Sequence, residues 1–195
     1  GCFYIDSINE ISIDSCSFIN NKAYELEGGA FFISSLSKVS SVTFINTEFN
    51  YNEAEADFGA VFIDTKDSSS SIIFNECKFS RNKSKGKGGA LFLNEITQSS
   101  ELVVSSCTIE ANSAGDDFGG FYMNSKGKVL IENCHYSNNT ASKLSSTSIS
   151  PTDAIFIEGS GDWHITETNF TKGSLHTEKT NIQIPVITSS EFSAN

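Results

Sequence analysis

The chain has 195 residues, 38% of them hydrophobic, and sixteen Phe residues supply large side chains for an apolar core. Its formal net charge of −11 argues against a nucleic-acid-binding protein, because such proteins need a basic face to displace counterions. No apolar run reaches the roughly 18 residues that cross a membrane as a helix, so we expect that this chain does not span one itself.

Like residues recur along the chain about every 30 residues. The glycine column contains Gly29, Gly59, Gly89 and Gly119, and after an insertion at 140–152 its next equivalent is Asp153. The aromatic column contains Phe18, Phe49, Phe79, Ile109, Tyr136 and Phe170. The asparagine column follows three residues later with Asn21, Asn52, Asn82, Asn112 and Asn139, and Gly173 closes it. The cysteine column, two residues before each aromatic, contains Cys16, Thr47, Cys77, Cys107, Cys134 and Thr168. Columns that stay in step over six units predict a repeat architecture.

Each unit predicts three short strands, which the third unit shows in chain order. The stretch "SIIF" (71–74) comes first, "CKF" (77–79) second and "ALFL" (90–93) third. The odd spacing from Phe74 to Cys77, and again from Phe79 to Asn82, breaks strand alternation and therefore predicts corners. Three strands and three corners in about 30 residues are one turn of a parallel β-helix.

We therefore predict an all-β chain: a right-handed parallel β-helix solenoid of about six turns. It forms a single repeat domain over residues 1–195. Because Gly1 begins inside a unit, we expect a fragment of a longer chain, and Pro185 predicts a weaker ladder near the C-terminus.

The stacking of turns explains the residue types of the columns. Successive turns lie about 4.8 Å apart, so an inward aromatic in each turn becomes a continuous ladder. An asparagine at a corner tolerates left-handed backbone angles and can hydrogen-bond the neighbouring turn. A glycine before the third strand allows a positive φ and a close approach of neighbouring backbones.

Two of these motifs resemble the polymorphic outer-membrane protein (Pmp) repeat, best known from chlamydial surface autotransporters. The glycine motif stands as Gly28-Gly29-Ala30-Phe31 and Gly88-Gly89-Ala90-Leu91. The Phe-x-x-Asn motif stands as Phe18-Ile19-Asn20-Asn21, Phe49-Asn50-Tyr51-Asn52 and Phe79-Ser80-Arg81-Asn82. The resemblance covers nearly the whole chain, with Phe58, Phe118 and Ile109 as departures, and implies a right-handed β-helix of the pectin-lyase-like kind used in surface adhesion.

The cysteine column accepts Thr at two positions, which is typical of a small-residue packing position. We expect Cys16, Cys77, Cys107 and Cys134 to be reduced and buried, and Cys2, in the alanine column after the glycines, to be buried as well. A disulfide between neighbouring turns remains an alternative, although parallel Cβ vectors disfavour its geometry. A straight ladder does not supply ligands that converge on zinc, so no metal site is predicted here.

A second aromatic column lies one residue further along each third strand. If the residues at positions 31, 61, 91, 121 and 155 point inward, alternation turns this column outward. It contains Tyr4, Phe32, Phe62, Phe92, Tyr122 and Phe156. Six stacked aromatic residues on an outer face predict a contact surface for other proteins or for host glycans. The alternative interpretation is that this column faces the core and its aliphatic neighbours face out.

Candidate catalytic residues are few. Asp116 and Asp117 faintly resemble the paired acids of polygalacturonases, but Arg81 and the histidines at 135, 164 and 176 form no matching motif. We interpret the acids as a solvated turn, with calcium binding as an alternative, and Lys83, Lys85 and Lys87 as solvated charges. No catalytic residue and no cofactor are predicted.

Three N-glycosylation sequons, at Asn82, Asn138 and Asn169, are candidate modification sites. We expect a non-catalytic structural and adhesive segment of a large extracellular or cell-surface protein. A filament or coat subunit that associates end to end or laterally is an alternative, since uncapped end turns expose unpaired strand edges. A polysaccharide lyase or hydrolase is a further alternative.

Overall fold

The computed structural model describes residues 2–6, 8–25, 27–34, 36–65, 69–142, 153–172, 174–179, 186–188 and 191–193. In these residues the chain forms 26 short strands and no helix, and every strand pair is parallel. Gly1, Gly173, Pro185 and residues 143–152 of the insertion, on which some of the expectations depended, lie outside the described residues.

The first two sheets have seven strands each, and each strand pairs with its equivalents in the turns before and after it. The first sheet contains β1 (Phe3–Ile5), β5 (Phe31–Ile33), β9 (Val61–Asp64), β13 (Leu91–Ile96), β17 (Phe121–Ser125), β21 (Asp153–Gly159) and β24 (Ser174–Lys179). The second sheet contains β2 (Ile8–Asp14), β6 (Leu36–Ile45), β10 (Ser69–Asn75), β14 (Glu101–Ser105), β18 (Lys128–Glu132), β22 (Asp162–Thr166) and β25 (Val186–Thr188).

The other two sheets consist of shorter strands. The third contains β3 (Ser17–Ile19), β7 (Glu48–Asn50), β11 (Lys78–Ser80), β15 (Thr108–Glu110), β19 (His135–Ser137), β23 (Asn169–Thr171) and β26 (Glu191–Ser193). The fourth contains β4 (Lys22–Ala23), β8 (Glu53–Ala54), β12 (Lys83–Ser84), β16 (Ser113–Ala114) and β20 (Thr140–Ala141). The prediction of an all-β parallel solenoid is confirmed.

The turns differ slightly from the prediction. Strands β1–β20 form five turns of four strands each, and β21–β26 add two turns of three. The fourth strand was not predicted because it is only two residues long, which is too short to show alternation in the sequence. It lies directly after the asparagine corner.

Inward side chains from the first three sheets meet in one continuous core. Register places the aromatic column in line, with Phe49 paired to Phe79 and Phe79 to Ile109. The ring centroids of Phe49 and Phe79 are 4.8 Å apart, and both residues are fully buried. Each such ring contributes very roughly 1.5–3 kcal/mol through burial.

Tyr136 is the polar exception in the aromatic column. Its side chain is fully buried, and its hydroxyl has no hydrogen-bond partner among the described residues. Burial raises the pKa of Tyr136 well above its usual value. An unsatisfied buried hydroxyl costs about 1–3 kcal/mol, so the ring and not the hydroxyl explains why this residue fits the column.

The two glycines of each motif serve different purposes, and the sequence interpretation was partly wrong about them. The positive φ belongs to the first glycine, with values of +67° at Gly28 and +64° at Gly88. The second glycine provides the close approach, since a Cβ on Gly89 would lie 2.7 Å from the backbone nitrogen of Ser113. Here only glycine lets adjacent turns hydrogen-bond without a collision.

The left-handed corner residue is not the asparagine of the column but the residue before it. Tyr51, Arg81 and Ala111 have φ values of 54°, 53° and 55°, whereas the following asparagines do not have a positive φ. The prediction that the column asparagines themselves take left-handed angles was therefore wrong. A second series of left-handed residues, including Glu76 and Ser106, directly precedes the cysteine column.

Candidate functional site

The second aromatic column lies on the outer face of the first sheet. Its neighbours along each strand, such as Phe31, Val61 and Leu91, are fully buried in the core, so alternation turns the column outward. Phe32, Phe62, Phe92 and Tyr122 are half-buried and Tyr4 is 60% exposed. Phe156, at the far end, is only 1% exposed and does not belong to an accessible stripe.

The rings of this outer aromatic column cover one another. Centroids of successive rings lie 4.4–5.5 Å apart and their planes differ by 2–17° along the series Tyr4, Phe32, Phe62, Phe92, Tyr122 and Phe156. Each ring face between the ends of the series therefore packs against the next ring, and mainly ring edges point outward. Sugar rings bind aromatic side chains face to face, and the ring faces between the ends of this series are already covered.

Phe58 and Phe118 add a second aromatic layer that the sequence interpretation missed. They occupy the first-glycine position in alternate turns and keep its left-handed backbone, with φ values of 62° and 63°. The ring of Phe58 lies 3.8 Å from that of Phe92, and the ring of Phe118 lies 4.4 Å from that of Phe156. The sequence signal for this layer is a phenylalanine at a position that suits glycine. A phenylalanine in a left-handed conformation is strained, so its ring must pack well enough to offset the strain.

Polar residues line one side of the outer aromatic column. They lie two residues further along each strand and include Ser34, Asp64, Asn94, Asn124 and Glu158, all half-buried. The phenol of Tyr122 donates a hydrogen bond to the carboxylate of Glu158. The outer face of the first sheet thus combines ring edges with carboxylate and amide groups.

The outer face of the second sheet carries an aliphatic column that was also missed. Thr43, Ile73, Val103 and Leu130 are in register on neighbouring strands and half-buried. The alternation within "SIIF" and "ELVV" contained this signal, since one residue of each apolar pair must face outward. The fold therefore presents two apolar columns, one aromatic and one aliphatic, on different faces.

The asparagine column forms a directional hydrogen-bond ladder. The backbone N and the Nδ2 of Asn52 both donate to Oδ1 of Asn82 at 3.0 Å, and Asn82 donates in the same way to Asn112 at 2.9 Å. From Asn52 to Asn139, each Nδ2 also donates to a carbonyl oxygen of the aromatic column in the preceding turn, as Asn82 does to Phe49 at 2.8 Å. The bonds repeat from Asn21 to Asn139. These amides hold turns together and are not available to a partner.

The cysteine column is a hydrogen-bond ladder rather than only a packing position. The thiol of Cys107 donates to the carbonyl of Ser105 at 3.2 Å, and its sulfur accepts from the backbone N of Cys77 at 3.4 Å. Thr168 behaves alike, because its hydroxyl donates to the carbonyl of Thr166 and accepts from the backbone N of Cys134. This shared bonding explains why Cys and Thr interchange.

The thiols differ in exposure. Cys77, Cys107 and Cys134 are buried free thiols, Cys16 is half-buried, and Cys2 is exposed. The expectation of burial was wrong for Cys2 and only partly right for Cys16. Both belong to the turn of β1–β4, whose strands lie at the edges of their sheets among the described residues. The neighbouring thiols of Cys134 and Cys77, together with burial, raise the pKa of Cys107, so that it stays protonated.

Replacing Cys107 with Thr is expected to change the free energy of unfolding by less than about 0.5 kcal/mol, whereas the isosteric Val should lower it by about 1 kcal/mol. Threonine preserves both the donor and the acceptor of the column, and valine removes them and leaves the amide of Cys77 without a partner. Urea denaturation of the two variants provides the measurement. Equal midpoints for Thr and Val would show that the column serves packing alone.

The candidate catalytic acids do not form a pair over a cleft. The interpretation of both acids as a solvated turn was wrong for Asp117, which is 2% exposed. At the equivalent position two turns earlier, the carboxylate of Asp57 accepts a hydrogen bond from the backbone N of Lys87 at 2.6 Å. The histidines lie in three different sheets. His135 is in β19, His176 is in β24, and His164 is in β22, where it contacts Asp162. Arg81 lies over the ring of Tyr51.

Charged side chains on the fourth sheet pair across the turns. Lys22 contacts Glu53 at 3.3 Å and Glu55 at 2.8 Å, and Lys85 also contacts Glu55. Hydrogen bonding to Lys22, then to Lys85, lowers the pKa of Glu55 to about 2. These pairs are therefore complete above the ordinary carboxyl range and are lost as the pH falls toward about 2. Lys85 is thus paired, while Lys83 and Lys87 are exposed.

The sequons fall at different depths. Asn82 is fully buried in the asparagine ladder, so its assignment as a glycosylation candidate was wrong for the folded chain. Asn138 is exposed at a corner, and Asn169 is half-buried within β23. Among the described residues, no group of three or more His, Cys, Asp or Glu side chains could hold a metal ion, and no helix could cross a membrane.

Comparison with known proteins agrees with this architecture. The family described as "Right handed beta helix region" matches residues 1–152, which is more than three quarters of the chain. No curated protein and no solved structure matched the chain. The family match, the parallel sheets and the columns in register lead to one conclusion: this chain belongs to the right-handed β-helix family.

Proposed function

We propose that this chain is a non-catalytic structural and adhesive segment of a large surface or extracellular repeat protein. The proposal rests on one observation: the polar side chains of the ladders hydrogen-bond within the stack, and an apolar column faces outward. The asparagine ladder, the cysteine column and Asp57 all hydrogen-bond neighbouring turns, and the first sheet presents its half-buried aromatic column outward. Such a molecule is a stiff support with a continuous aromatic contact face.

The resemblance of the glycine and Phe-x-x-Asn motifs to the Pmp repeat supports an adhesive role at a cell surface. The burial of Asp117, one of the two candidate catalytic acids, supports a non-catalytic one. The partner that fits best is a protein, because the stacked rings of the outer aromatic column offer edges beside amide and carboxylate groups.

The test is adhesion of beads coated with bacterially produced chain to cultured epithelial cells. Replacing Phe32 with Ser should lower the apparent affinity about tenfold, as expected for the loss of an aromatic anchor. Ile73→Ser, a matched change on the outer face of the second sheet, should leave adhesion unchanged. Pretreatment of the cells with protease should abolish binding, whereas glycosidases should not.

Equal adhesion of the folded Phe32→Ser chain and the unsubstituted chain would overturn the assignment of this face. Turnover of an acidic polysaccharide that is lost in Asp116→Asn or Asp117→Asn would overturn the non-catalytic assignment. Circular dichroism of each variant establishes that it keeps the β-sheet fold.

A further inference from the structure

The three sequons occupy three structurally different positions in the turn. Asn82 lies in the asparagine ladder, Asn169 lies within a strand of the third sheet, and Asn138 lies at the corner between the third and fourth sheets. An N-glycosylated asparagine must keep its Nδ2 in solvent after folding, because the attached sugar is large and strongly hydrated. Burial and hydrogen bonding therefore separate the three candidates.

Asn82 cannot carry a glycan in the folded chain. It is fully buried, and its Nδ2 donates to the carbonyl of Phe49 at 2.8 Å and to Oδ1 of Asn112 at 2.9 Å. A sugar on this nitrogen would replace one of the two donated protons and would have to fit between stacked turns. The hydroxyl of its sequon belongs to Ser84, which is only 1% exposed.

Asn169 is a weaker candidate than Asn138. It lies in β23, in register with His135 of the preceding turn and Glu191 of the following one. Asn169 and Thr171 are both half-buried on the flat face of the third sheet. A glycan there would have to leave the flat surface of the sheet beside His135 of the preceding turn.

Asn138 has the geometry that the other two lack. It is exposed, and its φ of 53° places it at the left-handed corner residue, where the chain turns from β19 to β20. Among the described residues, Asn138 hydrogen-bonds through its backbone alone, since its N–H donates to the carbonyl of Thr171 at 3.2 Å. Thr140, the hydroxyl residue of the sequon, is exposed as well, and the intervening Asn139 holds the corner through the buried ladder.

We propose that Asn138 is the N-glycosylation acceptor of this chain, an inference that rests on the extracellular location proposed above. In the transfer, Nδ2 of Asn138 forms a bond to the anomeric carbon of an oligosaccharide carried on a polyprenyl diphosphate. The sugar–phosphate bond breaks, the polyprenyl diphosphate leaves, and Nδ2 loses one proton. The glycan then projects from a corner, away from the outer faces of the first and second sheets and their apolar columns.

The test is secretion of the whole chain from cultured animal cells behind a cleaved signal peptide, followed by intact mass measurement before and after enzymatic release of N-glycans. We expect one glycan on the secreted, folded chain. Three matched variants each remove one sequon at its hydroxyl residue: Thr140→Ala should abolish the glycan, and Thr171→Ala and Ser84→Ala should keep it. Asn138→Asp, which suits the left-handed corner, should also abolish it and covers the case in which Thr140→Ala does not fold.

A secreted, folded chain without a glycan, or one that loses it only in Thr171→Ala, would overturn the proposal. Either result would leave the adhesive function untouched, since the adhesion test uses bacterially produced chain that carries no glycan. Conversely, a failed adhesion test would not change whether Asn138 carries a glycan in the secreted chain. The two proposals can therefore fail separately.

Discussion

Asn82→Ala is expected to lower the free energy of unfolding by about 4 kcal/mol, since it removes four buried hydrogen bonds worth about 1 kcal/mol each. Two of these bonds are donated by its Nδ2, and two are accepted by its Oδ1 from Asn52 at 3.0 Å. The site is fully buried, so water does not replace the lost partners. Urea denaturation followed by circular dichroism gives the change in midpoint.

The control for this prediction is Asn94→Ala. Asn94 is half-buried on the outer face of the first sheet and has no side-chain hydrogen bond among the described residues. Its replacement should change the free energy of unfolding by less than about 0.5 kcal/mol. If the two variants unfold at the same urea concentration, the asparagine ladder does not stabilise the stack.

Gly89→Ala is expected to lower the free energy of unfolding by about 3 kcal/mol or more, because overpacking against rigid backbone forces the neighbouring turns apart. The new Cβ would lie 2.7 Å from the backbone nitrogen of Ser113 and would collide with the carbonyl oxygen of Gly119. Both groups belong to the next turn, where the ladder of backbone hydrogen bonds fixes them. Thermal and urea denaturation measure the loss.

Gly88→Ala is the matched control, one residue away. It introduces the strain of a positive φ, about 1–2 kcal/mol, but the closest contact of its Cβ is the side chain of Phe58, at 2.9 Å. Natural Phe residues occupy the equivalent positions 58 and 118. Gly88→Ala should therefore be the milder change, and a greater loss at 88 than at 89 would contradict the roles given to the two glycines.

The stacking of the turns was predictable from the sequence because the strand register pairs equivalent residues of successive turns. Residues at a fixed interval become neighbours in space, so the intervals between Phe49, Phe79 and Ile109 directly describe the ladder. The outward direction of Phe62 and Phe92 followed from alternation in the same way. Both features depend only on the spacing of residues along the chain, which can be read directly from the sequence.

The backbone conformation of the corners was harder to predict from the sequence. A left-handed residue beside an asparagine is tolerated by Tyr51, Arg81 and Ala111 alike, since the surrounding hydrogen bonds enforce it. Residue preference therefore pointed to Asn82, where φ is not positive, and missed Arg81. The bonding of Cys107 was hidden for a similar reason: a pattern of Cys and Thr indicates small size and a shared donor equally well.

The candidate site was predicted only in part. Exposure depends on what covers a face, and the rings of Phe58 and Phe118 come from a position that glycine fills in neighbouring turns. Phe156 is buried and Phe92 only half-buried, although alternation is the same for both and each packs against a ring from that position. The burial of Asn82 and the exposure of Asn138 likewise depend on the neighbouring turns and not on the sequon itself.

The alternation of Gly28, Phe58, Gly88 and Phe118 limits how such a solenoid can lengthen. The ring of Phe58 reaches across the following turn and rests where Gly88 has no side chain. Deleting a turn with glycine at this position, or duplicating a turn with phenylalanine, would set one phenylalanine against another and produce a steric collision. Removing or adding two turns together, about 60 residues, would keep the order of glycine and phenylalanine. Homologous chains that share this edge should therefore avoid phenylalanine at this position in two successive turns.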